Sequence, residues 1–269
     1  MVQIQPPEIP TFPPGDLWSD EPPLETYRHL EELIILLTSL NRFWSDRQNF
    51  FAAANLTVYY SSQQRKNQDL RGPDFFVVLN TERRERKSWV VWEEDGKYPN
   101  VVVEILSDST ASVDKGDKKL LYQDVWRTPD YFWFHPYTME FQGFTLTQGK
   151  YVEISPNEQS WLWSNELQLY LGIFNERLRF FTPSGELVQT PEEEADAERQ
   201  KVELERQKTE LERQRADAES QRADAASQRA DAASQRADAA SQRAEAASQK
   251  NAIMRQKLLE LGINPDEIG

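Results

Sequence analysis

Glu104 stands in an apolar run, after Val101-Val102-Val103 and before Ile105-Leu106. A carboxylate on a strand buried on both faces costs several kcal/mol unless it is paired or bound to metal. Asp74 opens a second apolar run, Phe75-Phe76-Val77-Val78-Leu79, directly after Gly72-Pro73. If the two strands are neighbours, the carboxylates converge at one sheet edge. Two hard oxygen ligands completed by water and phosphate make a Mg²⁺ site, with Mn²⁺ as the alternative ion. Gly72-Pro73-Asp74 is also ordinary turn composition, so Asp74 has a purely structural reading; neither a turn nor a cap explains Glu104. A third group follows in Asp114-Lys115-Gly116-Asp117-Lys118-Lys119-Leu120-Leu121-Tyr122. Asp114, Lys118 and Tyr122 are spaced by four and share one helical face, which could aim Lys118 at the acids. Taken alone, that spacing equally describes a surface Asp–Lys pair.

These side chains need elements to carry them. The runs at 75–79 and 101–106 are apolar without alternation, as in strands covered by helices on both faces. Further strands are predicted at 56–60, 89–92 and 131–134, and a hairpin at 141–146 and 151–154 around Gln148-Gly149. A helix is expected over 24–43, with Leu30, Leu33, Ile34, Leu37 and Leu40 forming its buried stripe, and another over 112–126. The fold class is therefore α/β: a mixed sheet flanked by helices, with a β-rich C-terminal portion.

Composition divides the chain of 269 residues. Every Trp, Tyr and Phe lies before Thr182, while 192–261 holds no aromatic, Gly or Pro. Aromatics dominate core burial and Gly and Pro punctuate loops, so a globular part precedes an unbroken helix former. The boundaries read as an extended Pro-rich arm (1–23), a globular domain (24–190), a heptad-repeat helix (191–262) and a short tail (263–269). Thr190-Pro191-Glu192-Glu193-Glu194 has the composition of a helix start, and Leu261-Gly262 that of its end. In the helix ASQRADA recurs, and Ala223, Ala226, Ala230, Ala233, Ala237 and Ala240 continue a three-then-four spacing to Leu258 and Leu261. That is a coiled-coil seam, which predicts a homo-oligomer through 191–262. Its alanines bury little, and Glu205, Glu212 and Glu219 interrupt it upstream, so a solvated single helix is the competing reading.

The chain has no Cys and only His29 and His135, which excludes disulfides, thiolate metal sites and a histidine-rich zinc centre. No apolar run reaches the ~18 residues of a membrane span, and no secretory signal pattern is evident. The expectation is a soluble, cytoplasmic protein. The net charge of −14 argues against a broad non-specific hold on nucleic acid.

The order of the motifs carries more than any one of them. Gly72-Pro73-Asp74, then Val103-Glu104-Ile105-Leu106-Ser107-Asp108-Ser109-Thr110, then Asp114, Lys118 and Tyr122, then Pro129-Asp130-Tyr131-Phe132-Trp133 resemble the bacterial putative restriction endonuclease family of the PD-(D/E)XK nuclease superfamily. The resemblance implies a restriction-endonuclease-like fold and Mg²⁺-dependent cleavage of DNA phosphodiester bonds. It makes Asp74 and Glu104 the metal ligands, joined by the Ile105 carbonyl. It makes Lys118 the catalytic lysine, displaced from the position held here by Leu106, with Asp114 and Tyr122 in support. Glu31 or Glu32 could add a ligand. A smaller departure is His135, where family members tend to carry Asp; it reads as a strand-end residue. Arg83, Arg84, Arg86 and Lys87 are candidate DNA contacts, although a charge run between strands is as often a solvated connection. Two other classes fit the same residues: a catalytically silent nuclease-fold module that binds partners through its helical tail, and a metal-dependent hydrolase of another phosphate ester.

Overall fold

The computed structural model describes residues 17–21, 24, 26–60, 70–107 and 111–262. Most of the Pro-rich arm, the Asp108-Ser109-Thr110 end of the second motif and the tail after Gly262 lie outside them. The chain runs α1 (Tyr27–Phe43), β1 (Phe50–Ala54), β2 (Val58–Tyr59), β3 (Leu70–Arg71), β4 (Phe75–Leu79), β5 (Trp89–Val90) and β6 (Val101–Ile105). A helical stretch over 111–126, the site helix, leads to β7 (Asp130–Phe134), β8 (Phe141–Thr147), β9 (Lys150–Glu153), β10 (Leu162–Ser164), β11 (Leu169–Phe174) and β12 (Arg177–Phe181). A tail helix, Pro191–Glu260, follows. Two compact units result, 1–196 and 197–269. Among the described residues no helix is long and apolar enough to cross a membrane.

The central sheet has the order β1-β4-β6-β7-β8-β9. It is mixed: β6 and β7 are parallel, and every other neighbouring pair is antiparallel. Because side chains alternate across a strand, the apolar runs of β4, β6 and β7 feed two cores. Phe75, Val77, Val101, Val103, Ile105, Phe132 and Phe134 face Leu33, Leu36 and Leu40 of α1 and the β10-β11-β12 sheet. Phe76, Val78, Val102, Leu106, Tyr131 and Trp133 face Tyr122 and Trp126 of the site helix, together with Val58 and Trp89 of the small β3-β2-β5 sheet. The mixed sheet flanked by helices, and the long C-terminal helix, are as the sequence predicts.

Several elements differ in detail. The first helix begins at Tyr27, where Thr26 caps it by accepting the His29 N–H at 3.1 Å. Its buried face is His29, Glu32, Leu33, Leu36, Ser39 and Leu40, while Leu30 and Ile34 are 39% and 49% exposed. The predicted stripe is thus rotated, because Glu32 is buried against a partner distant in sequence: its carboxylate accepts from the Leu178 N–H at 3.0 Å and from Arg177 at 3.1 Å. Glu31 also pairs with Arg177. The predicted strand at 89–92 stops at Val90, since the Asp95-Gly96 turn folds the Glu94 and Gly96 N–H groups back onto the Val91 carbonyl. The strand at 56–60 shortens to Val58–Tyr59. The hairpin forms as expected, with Gln148 and Gly149 both at positive φ.

The tail helix opens with a capping box. Thr190 Oγ1 accepts the Glu193 N–H at 3.3 Å, and Glu193 Oε2 accepts the Thr190 N–H at 2.9 Å. Glu193 also holds Arg179 at 2.7 Å and Glu194 pairs with Arg42, so the first turn belongs to the globular unit. That moves the division between units six residues past the composition boundary. No residue of the tail helix is buried.

Arg177→Ala leaves the fully buried Glu32 carboxylate short of its counter-charge. It is expected to lower the unfolding free energy by about 3 kcal/mol in urea denaturation, against a far smaller change for Lys150→Ala at an exposed pair.

Candidate active site

The antiparallel register pairs Phe75 with Val103, so the next pair outward is Asp74 and Glu104. The Asp74 N–H donates to Glu104 Oε2 at 3.3 Å. One Asp74 oxygen, Oδ2, accepts the Ile105 N–H at 2.7 Å. The other, Oδ1, lies 3.1 Å from His29 Nε2 of α1. Asp74 therefore does more than make a turn: its side chain ties β6 to the first helix.

Glu104 is fully buried. Tyr122 donates its hydroxyl to Oε1 at 2.6 Å, and Lys118 Nζ reaches Oε2 at 3.1 Å. Lys118 also pairs with Asp114 Oδ1 at 2.9 Å. Asp114 is itself fixed from the sheet, where Tyr131 donates its hydroxyl to the Asp114 carbonyl at 2.8 Å. The helical face read from the fourfold spacing is realised, although the turns at Asp114–Lys118 and Tyr122–Trp126 are widened to the π form. Such widening is often found at functional sites. Arg127, in the left-handed conformation, closes the helix.

Three carboxylates thus surround one ammonium. Burial pushes the Glu104 carboxyl well above the ordinary range, and the nearby Asp74 and Asp114 add to the rise that Lys118 and Tyr122 oppose. Burial also pushes Asp74 upward, but His29, Lys118 and the Ile105 N–H outweigh it and hold Asp74 below its usual value. Lys118 loses solvation, yet Glu104, Asp114 and Asp74 raise its pKa, so it stays cationic. Tyr122 and Tyr131 are pushed well above the phenol range, first by burial and then by Glu104, and remain donors.

Leu106, at the position where the signature has lysine, is 1% exposed and packs among Val102, Tyr131 and Trp133. The ammonium comes instead from the site helix. Glu31 and Glu32 are both engaged by Arg177 rather than turned to this cluster. His135 ends its strand as expected, its Nδ1 accepting from the Tyr137 and Thr138 N–H groups at 3.3 Å each. The 81–87 loop is largely bonded within the fold. Arg83 donates to the Trp44, Ser45 and Arg47 carbonyls, Arg86 pairs with Glu94 through a side chain only 3% exposed, Arg84 shares Glu94, and Lys87 lies over Trp18. Arg84 and Lys87 keep exposed side chains.

Sequence reasoning passed over His29. Its spacing from Leu33, Leu36 and Leu40 places it on the buried face of α1, a signal masked by the more apolar stripe next to it. Among the described residues no three His, Asp or Glu side chains form a ready metal cage. The donor set is nonetheless hard oxygen without thiolate. Each Asp74 oxygen and Glu104 Oε1 carries a single contact named above, and an ionised carboxylate has about four acceptor positions. A Mg²⁺ that keeps most of its waters needs only one or two such carboxylates.

The fold is a mixed sheet flanked by helices, with a carboxylate pair at the ends of two interior strands and a lysine reaching it from a helix. Residues 11–174 match the Uma2 family, described as putative restriction endonucleases. The chain belongs to that family. No curated protein matches it. Among solved structures, a putative nuclease from Anabaena variabilis is 13% identical, aligns over 54% of this chain and 76% of its own, and superposes with a TM-score of 0.40.

The folded protein holds the Glu104 proton more tightly than the unfolded chain does. Raising the pH above the ordinary glutamate value of about 4.3 therefore costs stability progressively. Glu104→Gln removes that cost while Lys118 keeps Asp114. The variant is expected to be more stable than the parent at pH 7 and no more stable at pH 4, read by urea denaturation at both values.

Proposed function

We propose that the chain is a metal-dependent endonuclease that hydrolyses DNA phosphodiester bonds. The observation that carries this reading is the fully buried Glu104, facing Asp74 across the β4–β6 pair and bonded to Lys118. Asp74 and Glu104, with the Ile105 carbonyl next along the strand, would hold Mg²⁺ or Mn²⁺. When bound, the ion supplies positive charge at the scissile phosphate and lowers the pKa of a coordinated water.

The protein's own groups do the rest. Lys118 neutralises charge that grows on the phosphate oxygens in the transition state, and it is already oriented by Asp114. Tyr122 keeps one Glu104 oxygen fixed, so that the other oxygen's direction is set. The raised Glu104 pKa means that its proton must leave before an ion is bound, which makes metal binding tighten with pH. Arg84 and Lys87 are the loop cations exposed enough to meet a phosphate backbone, with Arg83 and Arg86 holding the loop in shape. With an overall charge of −14, engagement of DNA should be weak and strongly salt-dependent.

Nicking of supercoiled plasmid tests this. Mg²⁺-dependent conversion to the open circle is expected, falling by at least about 100-fold in Asp74→Ala, Glu104→Ala and Lys118→Ala, the range typical when a transition-state charge partner is removed. Robust cleavage by Glu104→Ala overturns the site. No cleavage by the parent chain points to the silent module, and hydrolysis of small phosphate esters without salt-sensitive DNA binding points to the other hydrolase.

We also propose that the tail helix associates with a second copy along its Ala seam, a reading supported by a helix of 70 residues with none buried. Sedimentation of the full chain should give an oligomer that becomes monomeric in the double variant Ala233→Glu, Ala240→Glu. An unchanged sedimentation coefficient refutes it.

A further inference from the structure

The α1 helix is locked at two points, one on each side of a single residue. At its start Thr26 accepts the main-chain N–H of His29 at 3.1 Å. Three residues on, the buried Glu32 is held by the Leu178 N–H at 3.0 Å and by Arg177 at 3.1 Å. Rotation and sliding of the helix are both resisted there, and His29 lies on the same face as Glu32, Leu33 and Leu36. Its side chain is 11% exposed, with Nε2 placed 3.1 Å from Asp74 Oδ1. The opposite oxygen of the same carboxylate is fixed by the Ile105 N–H at 2.7 Å.

A carboxylate at a turn would otherwise be free to rotate about its terminal torsion, which is soft. Here one oxygen is tied to the sheet and the other faces a helix anchored across the domain. We propose that His29 is a positioning residue of the metal site: it sets the orientation of the Asp74 carboxylate, and so the affinity for a divalent cation. This rests on the reading of Asp74 as a metal ligand. Groups that orient a ligand through its second atom typically change metal affinity by about 10–100-fold when removed.

The discriminating comparison is between two polar variants of the full chain, His29→Gln and His29→Asn. Glutamine carries an N–H donor about as far from the backbone as Nε2, whereas the asparagine amide falls short of Asp74. Mn²⁺ binding is measured by titration calorimetry, and the Mg²⁺ concentration that half-saturates plasmid nicking is measured alongside. The expected result is a loss of Mn²⁺ affinity of about 10-fold or more in His29→Asn and near-parental affinity in His29→Gln. The half-saturating Mg²⁺ concentration should shift in the same order, with cleavage at saturating Mg²⁺ largely retained. A role confined to packing would lower the melting temperature without moving the metal dependence in that order. Parental Mn²⁺ affinity in His29→Asn, or failure of glutamine to restore it, overturns the proposal while leaving the metal site standing. Absence of Mn²⁺ binding in the parent chain overturns the metal site and the proposal together.

Discussion

Burial of the Glu104 carboxylate is the constraint on which the surrounding structure depends. An ionised group in the middle of an apolar strand is tolerable only where its charge and its lone pairs are answered. Answering them requires the site helix at a particular height above the sheet, because Lys118 and Tyr122 must both reach Glu104 from it. Placing that helix draws in Tyr131, which holds the Asp114 carbonyl from β7. Tyr131 then packs edge to face on Tyr122, and Trp126 packs on the same Tyr122 ring in a tilted arrangement. The low local polarity that makes the carboxylate expensive also strengthens every contact that compensates it.

The other half of the arrangement comes from the opposite face of the sheet. Asp74 lies at the end of the sheet where β4 begins, so it can touch both β6, through the Ile105 N–H, and α1, through His29. The α1 helix is in turn registered by Arg177 and Leu178 on β12. The three-stranded β10-β11-β12 sheet, far along the chain and rich in aromatics, thereby acts on the cluster at one remove, since it determines where the first helix can sit.

Much of this was legible in the residues. The β4 and β6 runs announce themselves by apolarity on both faces, the β8–β9 hairpin by Gln148-Gly149 between alternating residues, and the tail by the loss of aromatics, Gly and Pro. Glu104 stood out as a charge that could not be left unpaired, whereas Asp74 and Lys118 joined it through the order of the motifs and the family resemblance. What escaped has a common cause. The strand β1, Phe50–Ala54, has three alanines in its five residues and no β-branched residue, so its pairing with β4 rather than its propensity makes it a strand. The buried face of α1 was misjudged because Glu32 and His29 are polar and their partners lie far along the chain. Arg86 likewise reads as a surface cation until Glu94 and the rings of Phe51 and Trp89 are brought beside it. Local pattern predicts where apolar groups go, but it does not predict which polar groups are carried inside by distant partners.

Lys118 shows how a cation distant along the chain becomes the neighbour of a buried acid. Residues 104 and 106 project from the same face of β6, so a lysine at 106 would approach the acids along the strand and sacrifice apolar surface to do so. Here Leu106 keeps that surface in the core, beside Val102 and Trp133, and the ammonium arrives from the helix above. The cation beside Glu104 is thereby conditional on the helix being docked and on Asp114 holding Lys118. The same logic applies to the charge of the whole chain. Of the net −14, −5 lies in residues 191–269, and the remainder includes three carboxylates gathered about one lysine. That local excess of negative charge opposes a polyanion and favours a divalent cation.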